Sequence, residues 1–537
     1  MVDTHDAGTG VPARGDAGPA SYRRLIEEAH ADAAIWDYVR YDDEGQLWIN
    51  GLKVADAIAA YGSPLEIVDT TLVERRCADW ITLTREVAER VGYVGRLDYL
   101  YAAKANMASE VAHAAYRSGW GAETSSRQDL DHLQWLADND LLPDGLRVVC
   151  NGFKLPPSFL GRPQPDAVSS ESAVTLPPDT LSRTVRDASY AESIVRMARD
   201  GWAICPILDQ DELATFLEPG TPTMDVGLRM KHGRVSNAAE LTRLVSRFGL
   251  DQATLRQDAA RIAASGHLRF TTLHAMVGAA TTIPVDEFAD ALLFAGGVWA
   301  SLRRDHETLS ELNIGGGIPP LSEPYHHAGL VERLLTGLKS IAAEHGVPPP
   351  DVTFELGSLV AAECGFHVFR VVQTKLNHVR DDRDPAPWAI IDGGLMAAIP
   401  DMLILGKSFR ILAAGGADRR ARRARLGDPT CDSDGRYPPS SFGPDAAILL
   451  PDAGDALHVV ILGVGAYQEI LAGVRGAHHC GLLEAIELIL EPGPDGSVHG
   501  RIMPRQTSAE ASALLGYSDE AVPALAGALT ASQERGG

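Results

Sequence analysis

The feature that most constrains this chain is a recurring unit: a short apolar run, a turn, then an amphipathic helical stretch. Apolar runs fall at Leu65–Val68, Leu97–Ala102, Leu146–Cys150, Ile204–Leu208, Val226–Met230, Thr271–Val277, Leu312–Ile314 and Val352–Phe354. Helical patterns such as Thr71–Arg90, Ala105–Ser118 and Ala191–Asp200 lie between most of them. About eight such units over roughly 290 residues is the count of a parallel (β/α)8 barrel. A doubly wound open sheet is the competing arrangement, because periodicity alone does not settle closure.

The flanking segments divide the rest of the 537 residues. Residues 1–22 are rich in Gly, Ala, Asp and Pro and read as a disordered tail. Residues 23–63 carry short alternating runs broken by Gly51, a segment expected to contribute to a β domain. The barrel spans 64–360 and is interrupted near 156–178 by a Pro- and Ser-rich stretch, expected as a surface loop. From 361 to 516 the helices thin out into short β-rich runs, which read as a second, mainly β domain. The run Ala417–Arg425, dense in arginine, is expected as a solvated loop within it, with recognition of an anion as the alternative. An Ala-rich tail covers 517–537.

Composition narrows the function. Apolar residues make up 45% and charged residues 22%, the balance of a water-soluble globular protein. A net charge of −24 repels nucleic acid and anionic membrane surfaces. No apolar run approaches the roughly 18 residues needed to cross a bilayer, and the first residues lack the apolar core of a secretory signal. The 6 cysteines are far apart with no CxxC pair, so neither a disulfide framework nor a zinc site is expected. That usage suits a reducing cytoplasm.

Several positions offer chemistry. Lys104, in Tyr-Ala-Ala-Lys-Ala-Asn, directly follows an apolar strand, where a barrel places residues at its catalytic mouth. Desolvation there would ready the amine for Schiff-base chemistry; the alternative is a surface lysine in a loop. Gly315, Gly316 and Gly317 follow the strand Leu312–Ile314 and can turn successive N–H groups toward one phosphate, or merely make a turn. Glu355 ends the strand Val352–Phe354, where a carboxylate can hold a positive ring nitrogen; an ordinary exposed glutamate is the alternative. Cys431 lies in a polar, acidic loop, which suits a proton donor better than a nucleophile. Gly465 to Tyr467 follow a strand and open a helix, offering N–H groups and a hydroxyl to an anion, or a purely structural helix start.

Together and in this order, these segments resemble one family, the fold-type III pyridoxal-phosphate enzymes of the alanine racemase-like barrel class, specifically the basic amino-acid decarboxylases. The resemblance runs from near Leu65 to near Leu515. YAAKAN matches the cofactor-lysine motif, GAETSS the next strand with its acidic Glu123, and LNIGGGIP the phosphate-binding glycine motif. NGFK (Asn151 to Lys154), SRFGL (Ser246 to Leu250), TCDSDG and GAYQEI look most like the biosynthetic arginine decarboxylase branch. The resemblance implies that Lys104 holds pyridoxal 5'-phosphate as a Schiff base and that Glu355 protonates its ring nitrogen. Cys431 would protonate Cα across a homodimer interface. Gly315 to Gly317, Gly465 and Tyr467 would bind the phosphate, and Arg229 occupies the barrel-strand arginine position. Asp392 and Asp432 would meet the cationic end of the amino-acid substrate.

Three positions depart from that family. Met276 stands where a histidine stacks on the pyridine ring, Ala279 where a serine touches the phosphate, and Ser358 where an arginine binds it. A thioether still contacts an aromatic face, worth about 0.3–1.5 kcal/mol. Each lost charged hydrogen bond costs about 1.5–3 kcal/mol. Arg234 and Arg247 are candidate replacements for the missing arginine. The readings that stand are a decarboxylase of an arginine-, ornithine- or lysine-type amino acid or a related metabolite, a racemase on the same fold, and a catalytically impaired pyridoxal-binding or regulatory homologue.

Overall fold

The computed structural model describes residues 20–154, 188–231, 246–278, 283–376, 386–452, 457–493, 495–523 and 526. Most of the expected N-terminal tail, the Pro/Ser-rich insertion, Arg234, Ala279 and the end of the C-terminal tail lie outside them.

Eight strands form one sheet: Leu97–Ala102, Gly121–Thr124, Arg147–Cys150, Ala203–Leu208, Met224–Arg229, Leu268–His274, Glu311–Asn313 and Asp351–Leu356. Each pairs in parallel with the next, and the last pairs with the first, Val352 opposite Leu97 and Leu356 opposite Tyr101. The sheet is therefore a closed barrel, and the open-sheet alternative is excluded.

One expected barrel strand sits elsewhere. Leu65–Asp69 belongs to the second sheet, antiparallel to Gly365–Lys375 and parallel to Ile486–Pro492. All of its residues are buried, and the apolar side chains of Leu65, Ile67 and Val68 read the same in any sheet that covers both faces of the strand. Its place in the barrel is taken by Gly121–Thr124. That strand is short and half polar, so hydrophobic patterning passed over it and only the motif resemblance marked it.

Inside the barrel Leu100, Val149, Cys205 and Ile207 form a buried apolar cluster. Near the amino-terminal ends of the strands the filling turns polar. Arg147 is hydrogen-bonded to Glu311, lies 3.0 Å from Asp98 Oδ2, and donates to Thr353 Oγ1 at 3.3 Å. Thr272 donates to the same Glu311 at 3.0 Å. This network stabilises the floor and leaves the carboxyl ends free for chemistry.

The chain divides into two compact units, Glu74–Pro319 with Tyr325–Val360, and Met1–Val73 with Pro320–Pro324 and Ala361–Gly537. The first contains the barrel. The second holds a small antiparallel sheet, Val39–Tyr41, Leu47–Ile49 and Leu52–Lys53, and a ten-stranded sheet. The long strand Gly365–Lys375 organises that larger sheet by pairing with Leu65–Asp69, Trp388–Ile391 and His458–Leu462.

The arginine-dense run corrects another expectation. Most of it is strand, Ala421–Gly427, parallel to Trp388–Ile391 and antiparallel to Ile448–Pro451. Arg425 is buried, and its guanidinium donates to the carbonyl oxygens of Pro444 at 2.7 Å and Ala446 at 3.2 Å. Backbone carbonyls here satisfy a charge that the sequence alone assigns to water.

Candidate active site

Lys104 sits on a single turn, Ala103–Ala105, immediately beyond the carboxyl end of Leu97–Ala102. Its side chain is 48% exposed, so the expected desolvation of the amine is absent. Nζ is instead hydrogen-bonded to Glu123 Oε2 on the neighbouring strand, a fully buried carboxylate. The turn after that strand is rigid. Ser126 and Asp129 form a capping box that starts the helix Arg127–Asp138, and Asp129 Oδ2 also accepts the Ser125 N–H at 2.7 Å.

Glu123 is tied to a second buried carboxylate through an amide. Asn151, just past the strand Arg147–Cys150, places Nδ2 2.9 Å from Glu123 Oε1 and 2.8 Å from Glu355 Oε2. Asn313, the last residue of its strand, donates to Glu355 Oε1 at 2.7 Å. His274, the last residue of Leu268–His274, has Nε2 3.3 Å from Glu355 Oε2. Side chains at the carboxyl ends of six strands thus form one polar belt. Burial pushes the Glu355 carboxyl up, but His274, Lys104 and the Asn313 hydrogen bond outweigh it and hold it down to about 2.

Two atoms of this belt are left over. Asn151 Oδ1 and His274 Nδ1 are buried and have no hydrogen-bond partner among the described residues. An unsatisfied buried polar atom costs about 1–3 kcal/mol, a cost tolerated where a ligand completes the set.

The glycine turn lies beside the belt. Gly315 and Gly317 have φ of 65° and 94°, in the region that favours glycine. A Cβ on Gly316 would lie 2.3 Å from the carbonyl oxygen of Glu355, so the turn and that strand end are in backbone contact. The Gly315 N–H donates to Asn313 Oδ1 at 2.9 Å, and the Gly316 N–H points at Met276 Sδ, 3.4 Å away. Met276 therefore packs on the glycine turn, and its sulfur takes an N–H that an anion would otherwise receive. Ser358 opens the short helix Ser358–Ala361 directly after the Glu355 strand.

Arg229 ends Met224–Arg229, its guanidinium carbon 4.3 Å from the centroid of Phe248, and that ring stacks on Phe153 at 5.3 Å. Burial draws the guanidinium down, against the field of Asp209, Glu355, Glu123 and Glu212. Arg247 lies over the same Phe248 ring at 4.6 Å.

The other sequence candidates belong to the second unit. Cys431 is exposed and lies beside Cys480, a neighbour invisible in the sequence. Asp432 Oδ2 lies 3.1 Å from His479 Nε2. Both Asp392 oxygens have local partners, the Ser63 hydroxyl at 2.6 Å and the Arg370 N–H at 2.9 Å. Gly465 is packed so closely that a Cβ would lie 2.2 Å from the Ala361 carbonyl oxygen. Tyr467 follows at φ 69°, a strained conformation for a tyrosine, and caps the short helix Gln468–Ala472.

Sequence reasoning gave no role to Asn151, His274 or Asn313, although each fell inside a quoted segment. The available signal was positional: a polar residue at the end of an apolar barrel strand. Lys154 was also missed. It is fully buried, with Nζ donating to the Gly152 carbonyl at 2.7 Å and lying 3.5 Å from Glu212 Oε2.

The donor set fits a pyridoxal phosphate: an accessible amine, a buried ionised carboxylate, a glycine turn with no room for side chains, and orphaned polar atoms between them. No protein-family profile matches the chain. A curated diaminopimelate decarboxylase from Corynebacterium efficiens is 26% identical over 379 residues, 68% of this chain and 71% of that one. Among solved structures, the biosynthetic arginine decarboxylase of Campylobacter jejuni aligns with a TM-score of 0.71 at 18% identity, covering 91% of this chain and 93% of that one. Diaminopimelate decarboxylase from M. jannaschii aligns with a TM-score of 0.67 at 18% identity, covering 90% and 98%. The closed barrel and the second, mainly β sheet have the fold of these solved decarboxylases. In sequence the chain is similar to a diaminopimelate decarboxylase, and in fold to an arginine decarboxylase.

Proposed function

We propose that this protein is a pyridoxal-phosphate-dependent decarboxylase of a basic or diamino acid. The observation that carries the reading is the bridge Glu123–Asn151–Glu355, which joins the only lysine of the polar belt to a buried, ionised carboxylate across the barrel mouth. The similarity to diaminopimelate decarboxylase over most of the chain supports the same reaction. A structural neighbour from M. jannaschii was solved in complex with L-lysine, which supports an amino acid with a distal amine as the substrate class.

When bound, pyridoxal phosphate supplies the electron sink for the carbanion left as CO2 departs. Lys104 would hold it covalently through Nζ, and Glu123 keeps that amine oriented. Glu355, ionised and fixed by three side chains, would hold a proton on the ring nitrogen. Gly315 to Gly317 would offer N–H groups to the phosphate, with Met276 limiting how many are free. Arg229 and Phe248 would close the mouth against water. The motif resemblance supports Cys431 as the donor of a proton to Cα, Asp392 and Asp432 as partners of the substrate's distal cation, and Tyr467 and Gly465 at the phosphate. It also supports a homodimer, and the scattered cysteines without a CxxC pair support a cytoplasmic setting.

The test is borohydride reduction of the full-length protein with pyridoxal phosphate, followed by peptide mass mapping and a CO2-release assay. The expected result is a pyridoxyl mark on Lys104 and CO2 from one of arginine, lysine, ornithine or diaminopimelate. A marked Lys104 with inversion of configuration and no CO2 would make the protein a racemase. No mark at millimolar pyridoxal phosphate would mean that Met276, Ala279 and Ser358 have closed the site to the cofactor.

A further inference from the structure

A second polar cluster lies in the β-rich unit. His367 on Gly365–Lys375 pairs directly across the sheet with Glu66 on Leu65–Asp69, which sets both side chains on one face. Glu469, on the short helix Gln468–Ala472, reaches the same point. One ligand atom from each of Glu66, His367 and Glu469 lies within 4.8 Å of the others. His367 is 6% exposed, and its Nε2 has no hydrogen-bond partner among the described residues. That nitrogen faces Glu469 Oε1 at 3.8 Å, too far for a hydrogen bond and well placed for two ligands of one ion. The ring is fixed by stacking on Phe369, centroids 5.7 Å apart.

The surroundings favour a cation. These groups open on a cavity of about 60 Å³ also lined by His478 and Glu484, with no lysine or arginine among the described residues of its wall. The carboxyl groups of Glu66 and Glu469 face each other there, and two buried carboxylates so close repel unless a proton or a cation lies between them. Burial and the neighbouring acids push both carboxyls up, Glu469 to about 7, and burial draws His367 down to about 4. Arg475 is engaged with Glu487 at 2.8 Å, and His478 is hydrogen-bonded to Glu484. The cavity admits a few water molecules, which suits an ion with coordinated water and excludes an amino acid.

We propose that Glu66, His367 and Glu469 form a binding site for one divalent transition-metal ion in the β-rich unit, separate from the residues of the barrel mouth. One imidazole and two carboxylates with room for water match the donor preferences of manganese or zinc. His478 and Glu484 would bond the coordinated water and orient the ligands.

The probe is Mn2+, because the exposed Cys431 and Cys480 thiols attract it less than Zn2+. Chelator-treated full-length protein is titrated with Mn2+ while free metal is followed by electron paramagnetic resonance. One equivalent is expected to bind and to raise the melting temperature. His367→Gln and Glu469→Gln should each weaken binding by about 100-fold or more, since outer-shell losses alone cost ~10–100-fold. Circular dichroism of the metal-free variants reports whether they fold, and Glu469→Gln, at a partly exposed position, serves if His367→Gln does not. Absence of protein-dependent Mn2+ uptake would overturn the proposal, as would undiminished uptake by folded Glu469→Gln. Neither outcome bears on Lys104, whose test is the borohydride mark.

Discussion

His274 Nε2 lies 3.3 Å from Glu355 Oε2, with both side chains almost wholly buried at the carboxyl ends of their strands. Such a pair takes its geometry from the barrel, whose registers hold both strand ends in place. The ionised form of Glu355 is what this arrangement favours. Its folded pKa, about 2, is below the ordinary 4.5, so it contributes stability that is present above pH ~4.5 and lost as pH falls toward 2.

Glu355→Gln is expected to remove that acid-side loss and to lower turnover by about 100-fold or more, a loss of at least ~2.7 kcal/mol of transition-state stabilisation. Stability at pH 7 should fall by about 1–3 kcal/mol, because the amide cannot accept from Asn151, Asn313 and His274 together. Thermal melts from pH 2.5 to 7, alongside CO2 release, check both. Equal acid sensitivity in the two proteins would contradict the assignment.

Gly316→Ala should selectively weaken recognition of the phosphate. Its Cβ would lie 2.3 Å from the Glu355 carbonyl oxygen, so the turn must move. Affinity for pyridoxal phosphate is expected to drop by roughly one to two decades, the worth of one lost charged contact. Affinity for pyridoxal without its phosphate should change much less. A comparable loss for both ligands would point to general damage.

Arg147→Met tests the barrel floor. The substitution leaves Glu311 buried without its cation, a change that costs about 3–5 kcal/mol. Adding Glu311→Gln should recover part of the loss, and denaturant melts measure both. The pyridoxyl mark on Lys104 should persist in either protein while it is folded, because floor and mouth are at opposite ends of the strands.

Glu469→Gln should raise the melting temperature of metal-free protein at pH 8 and leave it nearly unchanged at pH 4.5. The folded carboxyl is raised to about 7 by burial and by Glu487 and Glu484. A carboxyl raised in the folded state costs stability as pH climbs from about 4.5 through 7. The other groups facing it, Glu66, His367, Glu484, Glu487, His478 and Arg475, remain in both proteins. A variant less stable than wild type at pH 8 would refute this reading.

Much of the architecture was legible because it rests on local patterning. Seven barrel strands appear as apolar runs, since a strand buried inside a barrel must be apolar over most of its length. Lys104, Glu355 and the glycine triplet were found by position, each immediately after such a run. The failures were equally physical. Leu65–Asp69 has the patterning of a barrel strand and pairs elsewhere, because burial on both faces does not say which partner does the burying. Gly121–Thr124 is too short and polar to register. Arg425 reads as solvated, yet three-dimensional neighbours supply its acceptors.

The amino-acid sequence by itself determined the alternation of strands and helices, the acidic surface, and the residues that carry a resemblance to pyridoxal-phosphate decarboxylases. These follow from short-range periodicity and from motif order, which a linear chain displays in full. Tertiary structure alone decided that the sheet closes, that Asn151 joins Glu123 to Glu355, that Met276 packs on the glycine turn, and that Glu66 meets His367 and Glu469. The reason is that hydrogen bonds and ion pairs between residues tens or hundreds of positions apart depend on strand register, and register is set by packing of the whole sheet.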